Sequence, residues 1–104
     1  MPYMITHLWY PNHVVDEVAK KFMESLEKYP HDESISKTIV PAAVSTTKKG
    51  IEVISIEEVE RQKLGDALEK EALFMAEYRN INGFRYETKT WATLKEAMKS
   101  IGMG

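Results

Sequence analysis

Apolar and polar positions along the chain change their period several times, and each change marks an element. The run Tyr3-Met4-Ile5-Thr6-His7-Leu8-Trp9-Tyr10 is dense in aromatic and branched residues and ends at Pro11-Asn12, which predicts a first strand. Val14, Val15, Val18, Ala19, Phe22, Met23, Leu26 and Tyr29 then recur at helical spacing, while Asp16, Glu17, Lys20, Lys21, Glu24, Glu27 and Lys28 fill the opposite side. That pattern is an amphipathic helix, with Asn12 as its cap and Pro30 as its stop. His31-Asp32-Glu33-Ser34 is a polar loop. β-Branched residues are enriched over 35–46, Lys48-Lys49-Gly50 makes a turn, and Ile51-Glu52-Val53-Ile54-Ser55-Ile56 follows, so two strands in a hairpin are expected.

The next helix has two candidate starts. Ser55 with Glu58 matches a capping box, and Gly65-Asp66 with Glu69 offers a start ten residues later. The later start is preferred, because the earlier one leaves Gly65 in a helix interior at a cost of about 1 kcal/mol. The helix then covers 66–80, and Asn82-Gly83 ends it with residues that tolerate positive φ. Residues 84–90 alternate apolar or small with charged positions, as in a half-exposed strand. Thr93 and Glu96 form a capping box for a short terminal helix that stops at Gly102. Its stripe of Leu94, Ala97, Met98 and Ile101 is expected to cover Leu73, Phe74 or Met75 on the long helix.

The order β-α-β-β-α-β with a terminal helix is α+β, in the ferredoxin-like split arrangement. Its second and fourth strands lie at the sheet edges. Pro41 falls in the second, where a missing N–H is tolerated, and Arg85, Glu87 and Lys89 fall in the fourth, as edge strands commonly carry charge. The central strands are apolar on both sides: Tyr3, Ile5 and Trp9 against Met4, Leu8 and Tyr10, and Ile51 and Val53 against Ile54 and Ile56. Two helices cover one face of such a sheet, so the other face calls for a partner, most simply a second copy.

A ferredoxin-like sheet that pairs through its open face resembles the dimeric α+β barrel superfamily. The run from Gly50 to Ile56, the helix end Tyr78-Arg79-Asn80-Ile81, and Gly83-Phe84-Arg85-Tyr86-Glu87 followed by Trp91 are similar to small archaeal and bacterial members. The resemblance implies a homodimer, or a higher assembly built from it. It also implies a range of activities, among them cofactor-independent monooxygenases, haem-degrading enzymes, lactone isomerases and stress-responsive barrels.

Composition narrows the field. At 104 residues and 12.0 kDa the chain is expected to be one domain, with about two-thirds of its surface buried. A net charge of -2, from 14 basic and 16 acidic residues, supplies no field for nucleic acid or an anionic membrane. The absence of cysteine removes disulfides, thiolate metal sites and a thiol nucleophile. Apolar runs of about five residues fall far short of the ~18 that span a bilayer, and no signal peptide opens the chain, so a cytoplasmic protein is expected.

Candidate chemistry is sparse. His7 is the one strand histidine and the candidate catalytic residue, a general base for an enzyme that uses neither metal nor bound cofactor. His13 and His31 read as solvated, and no histidine pair has ligand spacing, so no metal site is expected. Glu57, Glu58 and Glu60 read as a solvated strand end. No nucleophile elbow and no phosphate loop occur. Tyr3, Trp9, Tyr86 and Trp91, with Tyr10, come from strands that the topology makes neighbours, and are expected to line one ligand pocket between sheet and helices. Met4, Met23, Met75 and Met98 could make that pocket adaptable.

Three functions follow. One is a homodimer that binds a small hydrophobic molecule or is structural. The second is a monooxygenase- or isomerase-type enzyme acting on a flat hydrophobic substrate through His7. The third is an interaction module presenting Ala72-Leu73-Phe74-Met75-Ala76. A pocket of about 300 Å³ or more with His7 in its wall would favour the enzyme.

Overall fold

The structure, a computed structural model, describes residues 1–103. Its strands are β1 (Tyr3–Tyr10), β2 (Ser36–Thr47), β3 (Gly50–Val59) and β4 (Arg85–Trp91), and its helices α1 (Val15–Lys28), α2 (Leu64–Ala76) and α3 (Leu94–Ser100). The strands form one antiparallel sheet in the order β2-β3-β1-β4, with β1 and β3 central. The chain is thus an α+β fold with a four-stranded antiparallel sheet and three helices. Register shifts in β2 flank Pro41, between Thr38 and Val40 and between Val40 and Ala43, where an edge strand absorbs the lost donor.

Cross-strand partners share a face, so the register sorts the side chains. On β1, Met4, Thr6, Leu8 and Tyr10 point to the helices, together with Ile51, Val53, Ser55, Glu57 and Val59 of β3. Tyr3, Ile5, His7 and Trp9 point the other way and pair with Glu58, Ile56, Ile54 and Glu52. On β4, Arg85, Glu87, Lys89 and Trp91 join this second, helix-free face. It has an apolar centre at Ile5, Ile54 and Ile56 with charged residues around it on β2, β3 and β4.

The interior is built on the helical side in two pieces. Val14, Val18, Met75, Tyr78 and Ile81 form one cluster, against which Leu8, Tyr10, Phe74 and Phe84 pack. Met4, Val59 and Ala67 form the other, with Ile35 and Leu64 beside them. Tyr78 and Phe84 stack at 4.8 Å between ring centroids, closing the end of the sheet. The loop before β4 is pressed onto Pro11: Gly83 has φ +81°, and a Cβ there would lie 2.6 Å from the Pro11 ring, so glycine is needed both for conformation and for space.

Three local expectations are corrected. Asn12 does not cap a helix; it lies in a 3-10 turn and its Nδ2 donates to the Thr47 carbonyl oxygen at 3.0 Å, tying the end of β1 to the hairpin. β3 extends to Val59, so Ser55 and Glu58 are strand residues as the later helix start requires, but α2 begins at Leu64, two residues before the expected Asp66, after a 3-10 turn at Arg61–Lys63. Gly65 therefore falls in the first helical turn, where amides lack intrahelical acceptors in any case. α2 ends at Ala76, and turns carry the chain on through Asn80.

The terminal helix is the third correction. Its capping box is formed, with the Glu96 N–H donating to the Thr93 hydroxyl at 3.1 Å and the Thr93 N–H to the Glu96 carboxylate at 2.8 Å. Yet Leu94 and Ile101 are 78% and 68% exposed, and Leu73 remains 48% exposed, so the stripe does not cover α2. Glu96 instead anchors α3 electrostatically, 3.2 Å from Arg61 and 3.5 Å from the Met1 ammonium. The cap and these ion pairs hold α3, and its apolar stripe is left largely exposed.

Two outcomes are expected. Removal of residues 93–104 should leave cooperative unfolding, with a melting temperature within about 5 °C of the full chain, because little apolar surface is lost. The Glu96 carboxyl is held down to about 2, chiefly by the Thr93 backbone N–H, with the Thr93 hydroxyl, Arg61 and the N-terminus adding to it. Its folded value lies below the unfolded one of 4.5, so the cap is in place above that pH and is lost as pH falls towards 2. Amide shifts of Thr93 and Glu96 in an NMR titration should follow that acidic window.

Candidate functional site

The apolar stripe of α1 is not sealed against the sheet. Between them, closed at the back by α2, lies a cavity of about 460 Å³, within the ordinary range for small-ligand sites. Val15, Val18, Ala19, Phe22 and Leu26 of α1 face Val44 of β2 and Leu8 and Val53 of the central strands across it. Phe22 is 43% and Val44 62% exposed, so the cavity opens to solvent beside them.

Polarity increases along β3. The side chains facing the helices run Val53, Ser55, Glu57, and opposite Glu57 stands Thr38 of β2. Glu57 Oε1 accepts from the Ser36 hydroxyl at 3.1 Å and the Thr38 hydroxyl at 3.2 Å, and lies 3.5 Å from His31 Nδ1. From α2, Lys70 and Glu71 complete this end, with Lys70 Nζ donating to the Pro30 carbonyl oxygen. Burial pushes the Glu71 carboxyl up to about 7, the negative charge of Glu57 adds to the rise, and Lys70 opposes it. In the turn after α2, burial raises Tyr78 to about 12, which keeps its phenol neutral. The arrangement is an apolar chamber with one acidic end.

The residues expected to form the site are divided by the sheet. His7 lies on the helix-free face, away from this cavity; its Nδ1 is 3.9 Å from Glu52 Oε2, and Trp9 Nε1 donates to that same oxygen at 3.1 Å. The hollow beside His7, between Ile5, Glu87, Lys89 and Trp91, measures about 30 Å³, room for little more than a water molecule. Tyr3, Trp9 and Trp91 share that face, while Tyr86 pairs with Leu8 on the helical side but does not reach the cavity wall. Of the aromatic set only Tyr10 lines the chamber. Neighbouring strands do not bring aromatics together when odd and even positions point to opposite faces.

The residues that define the acidic end stand differently in the sequence pattern, which makes Glu57 a solvated strand end and His31 part of a solvated loop and does not single out Glu71. Signals for the carboxylates exist: Glu57 stands between Val53 and Val59 in period two, and Glu71 lies four residues from both Ala67 and Met75, inside the apolar stripe of α2. No group of three or more His, Asp or Glu side chains placed to hold a metal ion occurs among the described residues, and no helix there is long and apolar enough to cross a membrane.

No family model matches the chain, and no curated protein matches it. Solved structures similar to the chain include two that cover most of it. One is an uncharacterized protein from Thermotoga maritima, at 10% identity and TM-score 0.52, over 85% of this chain and 94% of that one. The other is a de novo designed protein, at 11% identity and TM-score 0.51, over 88% and 96% of the two chains. At such identities the likeness is one of fold.

The Glu71 environment has a measurable consequence. Its folded value of about 7 lies above the unfolded 4.5, so the native state holds the proton more tightly, and stability declines as pH rises between the two. The decline should be on the order of 3 kcal/mol. Glu71→Gln should remove it, so that urea denaturation of the variant and the parent agrees near pH 4.5 and favours the variant at pH 8. Equal pH slopes for the two proteins would show that Glu71 is solvated.

Proposed function

We propose that this protein binds a small, predominantly hydrophobic molecule in the chamber between α1, α2 and the sheet, and that it works as a homodimer. The observation that carries the first part is a 460 Å³ cavity with aliphatic and aromatic walls that is open to solvent. A packed core would have brought α1 down onto β3, and an empty apolar chamber forfeits contact energy along its whole lining. A ligand restores it.

The dimer reading takes the subunit as ferredoxin-like and joins two copies across their helix-free faces into an α+β barrel. The surface supports it. The chain exposes 7295 Å², against roughly 6,000 Å² for an ordinary monomer of this mass, and its radius of gyration is 15.1 Å where about 13 Å is usual. Ile5, Ile54 and Ile56 form the apolar centre of the uncovered face, with Tyr3, Trp9 and Trp91 around it. Lys37, Arg85 and Lys89 share that face with Glu52, Glu58 and Glu87, so a two-fold related copy can set acids against bases.

Each part has its own test. Nile red, a neutral apolar dye, should bind with enhanced fluorescence, and Ala19→Trp, which fills the chamber from an exposed position on α1, should abolish the signal without lowering the melting temperature. Dye binding unaffected by that substitution would remove the cavity as the site. Light scattering at tens of micromolar should show a dimer, with Ile54→Lys giving a folded monomer and Val53→Lys, which buries charge under the helices, giving unfolded protein. A monomeric parent protein would overturn the second part.

A further inference from the structure

The cavity is asymmetric, and the asymmetry specifies a ligand. Resting on the reading of the cavity as a binding site, we infer that its ligand is an amphipathic amine, with a cationic head seated between Glu57 and Glu71 and an apolar body lying along Val53, Val18 and Phe22.

Glu57 is held in place as an acceptor. The Ser36 and Thr38 hydroxyls both donate to its Oε1, and Oε2 accepts no hydrogen bond among the described residues. Glu71, by contrast, accepts no hydrogen bond among the described residues, although it is half-buried and stands in the chamber wall. A carboxylate in that position is costly unless something donates to it. The titratable groups that share the chamber wall with it are Glu57 from β3, Tyr10 at the end of β1, Tyr29 at the end of α1, His31 from the loop after α1, Tyr78 beyond the end of α2 and Lys70 on its own helix, and of these Glu57, Lys70 and Tyr78 interact with its charge. The Lys70 ammonium is taken up by the Pro30 carbonyl, and His31 stands against Glu57 and Thr38. None of them donates a hydrogen bond to Glu71, and a cationic ligand would supply that donor.

Chemistry then separates the head groups. A carboxylate head would add a third acid to the pair. A hydroxyl could donate one hydrogen bond but would leave the charge uncompensated. A primary ammonium supplies several donors and a positive charge, and satisfies both Glu71 and the free oxygen of Glu57. A divalent metal ion would want further ligands, and no third metal-binding side chain is grouped with the pair among the described residues.

The probes are octylamine, octanol and octanoate, each displacing Nile red from the whole protein at pH 8. Octylamine should bind at least about tenfold more tightly than octanol, with octanoate weakest. In Glu71→Gln the ratio of octylamine to octanol affinity should fall to within about threefold. In the unsubstituted protein the same ratio should shrink as pH is lowered from 8 to 5, which tests the head group without any variant. Equal affinities for the three probes would overturn the amine and leave the cavity standing. A preference that survives Glu71→Gln, or is flat with pH, would overturn the assigned seat. Failure of all three probes and of the dye would remove the cavity reading, and this inference with it.

Discussion

The pairing of β1 with β3 in the middle of the sheet determines where everything else in this protein can be. Because the two strands run antiparallel in a fixed register, each residue of one is matched in face to a residue of the other, and a slip by one position would exchange the two faces completely. Met4, Thr6 and Leu8 under the helices, and Ile5, His7 and Trp9 away from them, are consequences of that register. It puts Glu57 into the interior on the same side as Val53 and Val59. It also puts His7 beyond reach of the chamber, with a sheet between them.

On the helical side, α2 is the close-packed element and α1 the distant one. Ala67 and Met75 are buried against the sheet and Tyr78 stacks on Phe84, so α2 has no freedom to move outward. α1 touches the core at its first turns, through Val14 and Val18, and at Ser25, but Phe22 and Leu26 stay partly open. Phe22 reaches α2 edge-on through Phe74, with ring centroids 6.3 Å apart. The chamber is the space left where a helix pinned at separate points bridges a twisted sheet.

Sequence reading recovered what depends on local period and turn chemistry. The extents of β1 and the terminal capping box, the edge placement of Pro41 and the turn at Gly83 were all legible, because each is set by residues close together in the chain. The start of α2 was off by two residues because a 3-10 turn intervened where neither capping box was used. The misses of consequence have a different cause. The stripe on α3 was read as a cover because Leu94 and Ile101 are apolar, but apolar residues do not choose their partner, and Arg61 and the N-terminus fixed Glu96 elsewhere. The aromatic set was gathered by strand adjacency without applying alternation, which separates Trp9 from Tyr10. Distance across the fold is invisible to such reasoning, and so was the meeting of Glu57 with Glu71, which lie on a strand and a helix joined through a turn.

The acidic end also explains why the chain tolerates a poor local choice. A leucine in place of Glu71 would extend the stripe of α2 from Ala67 to Met75 without interruption and would relieve the desolvation that now raises its carboxyl. Proteins depart from such a pattern mainly where function uses the departure, and the stability forgone is recovered when a partner arrives. Glu57 sharpens the point. Glu57 accepts from the Ser36 and Thr38 hydroxyls, and its negative charge works against ionisation of Glu71. Two carboxyls so arranged do not stabilise each other. On the proposed reading they are acceptors for a third group, the head of a molecule whose remainder lies along the apolar walls that begin at Ser55 and Val53.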